Sequence, residues 1–265
     1  MSLLTFEEAR PWAKSIGRRV SEGSMPPWHA SPESAAMANE RQLTPDEVAT
    51  IVRWSSRPEP GDPNLAPPLP EFPDAGQWQL GQPDLVVAFE TVTVAADGPD
   101  TFYDLRAETG LTEERWVTAM EVLPGNSEVA HHVIVWQEDA DGNRLDSWLG
   151  AWAAGTDPLT FPDGMGRRMP VGGALIGDMH YHPSGIQATD QTRIGLHFSK
   201  GPVKKEIVNL WIANTGFEIP AGNPRYKARA SATFDQDSYI FSLLPHMHYR
   251  GKQFEYVARY PDGRR

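Results

Sequence analysis

Beyond Gly76 the chain breaks into short runs rich in Val, Ile, Thr and aromatic residues, each closed off by Gly, Pro, Asn or Asp, and this punctuation leaves few folds open. The runs are DLVVAFETVTV, WVTAMEVL, HHVIVW, TRIGLHF, EIVNLWIA, YKARASATF, YIFSLL and FEYVARY. Segments of this length and composition read as strands, and turn signals between them predict antiparallel pairing. The expected fold is mainly β, built as antiparallel sandwiches, with a softer break at KGPVKKE (Lys200 to Glu206) dividing two of them.

Ahead of these runs, residues 1–56 read as helical. Thr5-Phe6-Glu7-Glu8 is a capping box followed by Ala9, Trp12, Ala13, Ile16 and Val20 at helical spacing, with Pro11 expected to kink or restart the helix. Thr44-Pro45-Asp46-Glu47 is a stronger start, with proline at the first helical position and Val48, Ile51, Val52 and Trp54 behind it. The segment from Arg57 to Gly76 holds seven of the chain's 24 prolines and reads as an extended linker. The expected organisation is therefore a helical segment over 1–56, a Pro-rich linker over 57–76, a first β domain over 77–203 and a second over 204–265. The turn signal Pro261-Asp262-Gly263 follows the last run with only Arg264 and Arg265 beyond it, so the second domain is expected to be truncated and the chain a fragment.

The balance of 24 Lys+Arg against 35 Asp+Glu gives a formal charge of −11, which disfavours nucleic acid and anionic membrane as partners. No apolar run reaches membrane-span length, and the first twenty residues lack a signal-peptide core. The absence of cysteine removes disulfides, thiolate zinc sites, iron–sulfur clusters, thiol nucleophiles and covalent c-type haem. Metal ligation is left to His, Met and carboxylates.

Histidines gather in three short segments: His131 and His132 in VAHHVIVW, His180 and His182 in GDMHYHPSG, and His246 and His248 in LLPHMHYRGK. Neutral imidazole is the commonest protein ligand for copper and zinc, and such clustering is the pattern of a metal site. On a strand His246 and His248 share a face while Met247 points away, which makes a two-ligand clamp. His131 and His132 are adjacent, so strict alternation sends them to opposite faces; both serve one metal only where the backbone bulges or the strand begins. His180 and His182 again share a face, and either is a candidate ligand. His29 and His197 stand alone and read as structural. With imidazoles, methionines and no thiolate, copper is favoured over magnesium or calcium, and zinc is its main competitor.

The order HH, then MHY, then HxH followed by GK resembles the type II copper, ascorbate-dependent monooxygenases, the family of peptidylglycine α-hydroxylating monooxygenase and dopamine β-hydroxylase, from Gln77 to the last residue. The resemblance implies two jelly-roll-like β-sandwich domains, the second incomplete here. It places His131, His132 and His180 at a first copper that stores and delivers an electron, and His246 and His248 at a second copper where dioxygen and substrate meet. His180 is chosen over His182 because the family motif sets its ligand immediately before the tyrosine, here Tyr181. The family completes the second copper with a downstream methionine; no methionine follows His248, so that site is expected to be incomplete.

The implied activity is an oxidoreductase hydroxylating a substrate C–H bond with dioxygen, an external electron donor (ascorbate or a haem protein) and a small-molecule or peptide substrate. A longer parent is expected to be periplasmic or secreted. The alternative is a non-catalytic copper-binding or electron-transfer module, or an inactive fragment. The segment TFEEARPWAKSI…GSMPPWHA…LTPDEVATIVRW…GDP resembles the part of bacterial multidomain relatives that follows a haem-attachment motif, with Met25 at an axial-ligand place; lacking CxxCH, it reads here as a helical lead-in without haem. A cupin-like or zinc site around His180-Tyr181-His182 is disfavoured, because Ile186 and Gln187 stand where its glutamate belongs.

Overall fold

Both capping boxes form in the computed structural model, which describes residues 3–66, 68–69, 76–247 and 250–265. The chain divides into two units, Met1–Ala75 and Gly76–Arg265. In the first, Thr5 and Glu8 cap α1 (Phe6–Ala9), and the expected restart at Pro11 is a 3-10 turn over Arg10–Trp12 leading into α2 (Ala13–Ser21). Helix α3 (Pro45–Ser56) opens with Glu47 N donating to Thr44 Oγ1 at 3.3 Å and Thr44 N donating back to Glu47 Oε2 at 2.7 Å. That exchange satisfies two of the orphan donors of the first turn. Helices α2 and α3 pack at Gly17, where any Cβ would collide with the Ser55 side chain. Among the described residues no helix is long and apolar enough to cross a membrane.

The second unit is mainly β. Its strands are β1 (Leu85–Ala88), β2 (Val92–Val94), β3 (Thr101–Glu108), β4 (Arg115–Leu123), β5 (Ala130–Glu138), β6 (Arg144–Ala153), β7 (Leu159–Thr160), β8 (Met165–Met169), β9 (Ala174–Tyr181), β10 (Ala188–Asp190), β11 (Arg193–Phe198) and β12 (Lys205–Glu206). One sheet runs β1-β11-β4-β8-β12 with β7 beside β4; the other large sheet runs β3-β9-β5-β6, and β2 pairs with β10. Every pairing is antiparallel except β12 on β8. The two large sheets share one core: Val117, Met120 and Leu196 come from the first, Leu105, Val133, Leu149 and Met179 from the second. This is a sandwich-like arrangement, and each such side chain taken from water contributes roughly 1.5–3 kcal/mol before chain entropy is charged against it.

The runs beginning at Asp84, Trp116, His131 and Thr192 all become strands. Strands β3, β6 and β8 do not stand out in the sequence, because charged or small residues interrupt their apolar alternation. From Ile207 to Arg265 the described residues hold no helix or strand, although four of the strand-like runs lie wholly or mainly there. Lys205–Glu206, expected to open a second β domain, instead adds a parallel edge to β8. Strand preference is realised only through cross-strand neighbours and a face to bury. Here Trp211, Ile240, Leu244 and Tyr256 remain exposed. The turn predicted at Pro261–Gly263 does form, closed by Tyr260 N donating to Arg264 O at 3.0 Å.

Gly177, midway along β9, fixes how closely the sheets approach. A Cβ there would stand 2.7 Å from Cε2 of the Phe89 ring, which is fully buried and has nowhere to turn. Gly177→Ala is expected to lower unfolding stability by about 1–3 kcal/mol, the usual effect of overpacking. Denaturant unfolding measures it, and Phe89→Leu in the same chain should recover part of the loss.

Candidate metal centre

The site begins with a counting irregularity between two strands. Along β5 and β9, Ala130 pairs with Tyr181 and His132 pairs with His180, so His131 is an extra residue bulged out of the ladder. A bulge lets adjacent side chains escape strict alternation. Both members of the His131/His132 pair therefore reach the same side, next to His180. The bulge is held from behind: Ala130 N donates to Asn126 O at 3.1 Å, Asn126 N donates to Asp190 Oδ1 at 2.8 Å, and His182 N donates to Val129 O at 2.9 Å. Gly125 is required in that turn, since a Cβ would lie 2.7 Å from Gln191 N. Asp190 also accepts from Tyr181 Oη at 2.8 Å and Thr192 Oγ1 at 2.7 Å. Burial first, and Asp190 second, push the Tyr181 hydroxyl well above its ordinary pKa, so it stays a donor.

The three imidazoles turn their Nδ1 atoms toward one another. His131 Nδ1 lies 3.0 Å from His132 Nδ1, which lies 3.3 Å from His180 Nδ1, and the three candidate ligand atoms all fall within 4.8 Å of one another. Nitrogens bound at about 2.0–2.1 Å to one ion are separated by about 2.9 Å at a right angle and about 3.4 Å at the tetrahedral angle, so the spacing fits a shared cation. His131 is exposed, His132 half-buried, and the His180 side chain is only 12% exposed. The His132 imidazole is held below its ordinary pKa, first by burial and then by His180 and His131. It is neutral near pH 7, as a ligand must be.

Two residues that the sequence did not mark complete the surroundings. Asp100, just before β3, accepts from His180 Nε2 with Oδ2 at 2.7 Å and from His182 Nδ1 with Oδ1 at 2.7 Å. The His182 and His180 hydrogen bonds hold its carboxyl below the usual range. Phe102, the register partner of His180 in β3, stacks on that imidazole with centroids 4.3 Å apart and planes 18° apart. Neither residue lies in a motif; an aspartate 80 positions from its histidine carries no local signal.

His182 is thus occupied by Asp100 and does not join the cluster. His246 is exposed and is not part of the three-histidine group; His248 lies outside the described residues, so the geometry of the second predicted pair is not defined. His197 sits at a bulge in β11 with a buried Nε2 that has no hydrogen-bond partner, and His29 and Met25 are exposed. The Arg193 guanidinium lies over the Trp78 ring. Among the described residues, His131, His132 and His180 are the one group of three or more His, Cys, Asp or Glu side chains arranged to hold a metal ion. No family model matches the chain, and a comparison with curated proteins finds no match.

The depressed pKa of His132 sets a pH dependence in the metal-free protein. Between the folded value and the unfolded value of 6.5, the unfolded chain binds the proton that the folded chain refuses, so stability falls as pH drops through that window and is level above it. Thermal melts of the metal-free protein should show this acid-side slope, and His132→Gln should flatten it.

Proposed function

We propose that this chain is an oxidoreductase module of the copper-monooxygenase kind, in which His131, His132 and His180 hold one copper ion that stores and passes on an electron. The observation that carries the reading is the convergence of three Nδ1 atoms from two strands, with His132 and His180 lying 48 positions apart in the chain. An all-imidazole set favours copper or zinc over the oxygen-seeking magnesium and calcium. The order of the histidine motifs, resembling that of the copper monooxygenases, supports copper over zinc.

Copper held there supplies one-electron redox chemistry. The chain's own residues do the rest. β5 and β9 fix the spacing of the rings, burial keeps His132 neutral, and the bulge leaves His131 at the solvent side as an accessible ligand. His180 packs beneath Phe102, which keeps water from one face of its ring. In the full reaction one oxygen atom of dioxygen would enter a substrate C–H bond and the other would leave as water, with two electrons and two protons from an external donor. His246 and His248 are the residues we assign to that second copper.

A non-catalytic copper-binding or electron-transfer module is the second reading. It is favoured by the absence of any strand among the described residues beyond Glu206, around the second histidine pair.

Copper titration followed by removal of loosely held ion and metal analysis tests the proposal. One tightly held copper per chain is expected, lost in His132→Ala and His180→Ala and kept in His29→Ala. A wild-type content well below one overturns it. Ascorbate-driven oxygen uptake above that of free copper separates the catalyst from the electron-transfer module.

A further inference from the structure

We infer that Asp100 is a positioning residue which, with His182 gripping its other oxygen, fixes His180 in the tautomer whose bare Nδ1 faces His132. The inference deepens the metal reading above and rests on it for its purpose. The ring state it describes exists with or without an ion.

The register explains why Asp100 is there. β3 and β9 pair Thr101 with Tyr181 and Phe102 with His180, and extending that ladder by one residue sets Asp100 opposite His182. Its two oxygens then divide between neighbours two apart, His180 in β9 and His182 just past its end: Oδ2 to His180 Nε2 and Oδ1 to His182 Nδ1, both at 2.7 Å. An ionised carboxylate only accepts, so each of those ring nitrogens carries the hydrogen. A neutral imidazole with its proton on Nε2 has its lone pair on Nδ1, and for His180 that atom lies 3.3 Å from His132 Nδ1. The other tautomer would set a lone pair against a carboxylate oxygen at hydrogen-bond distance.

Two further contacts keep the arrangement from relaxing. Phe102 lies nearly parallel to the His180 ring, which opposes rotation of the imidazole. His182, with a side chain 64% exposed, is not needed in the cluster but supplies a second donor that stops the Asp100 carboxylate from swinging into water. A ligand histidine oriented by a carboxylate on its far nitrogen is pre-set for binding, and loss of such a partner weakens metal affinity by about 10- to 100-fold.

The test reads the ring first and the metal second. In the 15N-labelled, metal-free protein, long-range proton–nitrogen correlation should show His180 protonated at Nε2 and bare at Nδ1. Asp100→Ala and Asp100→Leu should each give a mixture of tautomers, while Asp100→Asn, whose amide oxygen still accepts, should restore the wild-type pattern. Copper titration of the same samples should show an affinity lower by about 10- to 100-fold in Asp100→Ala, a smaller loss in His182→Ala, and an altered Cu(II) paramagnetic resonance spectrum in both.

A wild-type His180 carrying its proton on Nδ1 overturns the inference by itself, whatever the variants do. So does an unchanged tautomer in any folded variant that lacks an acceptor at position 100. A wild-type ring with the expected tautomer that binds no copper would instead uphold the positioning role and sink the metal reading.

Discussion

Asp190 is 1% exposed, and an ion that deep in a protein survives only if its charge is met by donors. Three meet it: the Tyr181 hydroxyl at the end of β9, the Thr192 hydroxyl at the approach to β11, and the Asn126 amide in the turn that leads into β5. Removing the carboxylate would leave buried donors unsatisfied on three separate pieces of chain. More to the point, it would free the turn that delivers β5 to β9. A slip of one residue there moves every β5 side chain to the opposite face. His132 would then enter the core and Val133 would take its place beside His180. The histidine cluster is in this sense a consequence of a buried carboxylate that bonds the sequence neighbours Asn126 and Tyr181 rather than the histidines themselves.

The cluster itself is electrostatically unfinished. With the His180 lone pair turned inward, a proton on His132 Nδ1 can be given fully to only one of its two neighbours, His131 Nδ1 at 3.0 Å or His180 Nδ1 at 3.3 Å, and the other is left without a donor from within the trio. A single cation would satisfy all three at once. This is why the convergence says more than the count of histidines: three ring nitrogens with too few protons to satisfy one another are held together by the strands that carry them. The rigidity comes from the core on the other face of the same strands, where Val133, Val135 and Met179 are almost wholly buried.

Much of this was legible in the sequence, and the limits have physical causes. Alternation of apolar residues marked β4, β5 and β11 because each buries one face or both. Strand β3 escaped because it is an edge strand whose outward residues, Asp104, Arg106 and Glu108, are solvated and charged. In β9 the apolar run is broken by Gly177, which makes room for Phe89. The pair His131/His132 could be read as needing a bulge, but not as having one, since the bulge depends on the nearby Asn126 being held by Asp190, 64 positions further along the chain. Spacing placed His180 and His182 on one face, and they are; both reach Asp100. The strand-like runs beyond Glu206 show the reverse case, in which composition without neighbouring strands makes no sheet.

The extra residue of the bulge has a kinetic consequence. His131 is the exposed member of the trio, so an ion held there would be able to lose this one imidazole to solvent while the two deeper rings keep their places. Exchange of an ion held there would then proceed stepwise, with His131 released first and open to a competing chelator from outside. Nothing in the sandwich has to open. A three-histidine group built this way would take up and release an ion at the surface, with the strands that carry its two deeper rings left in place.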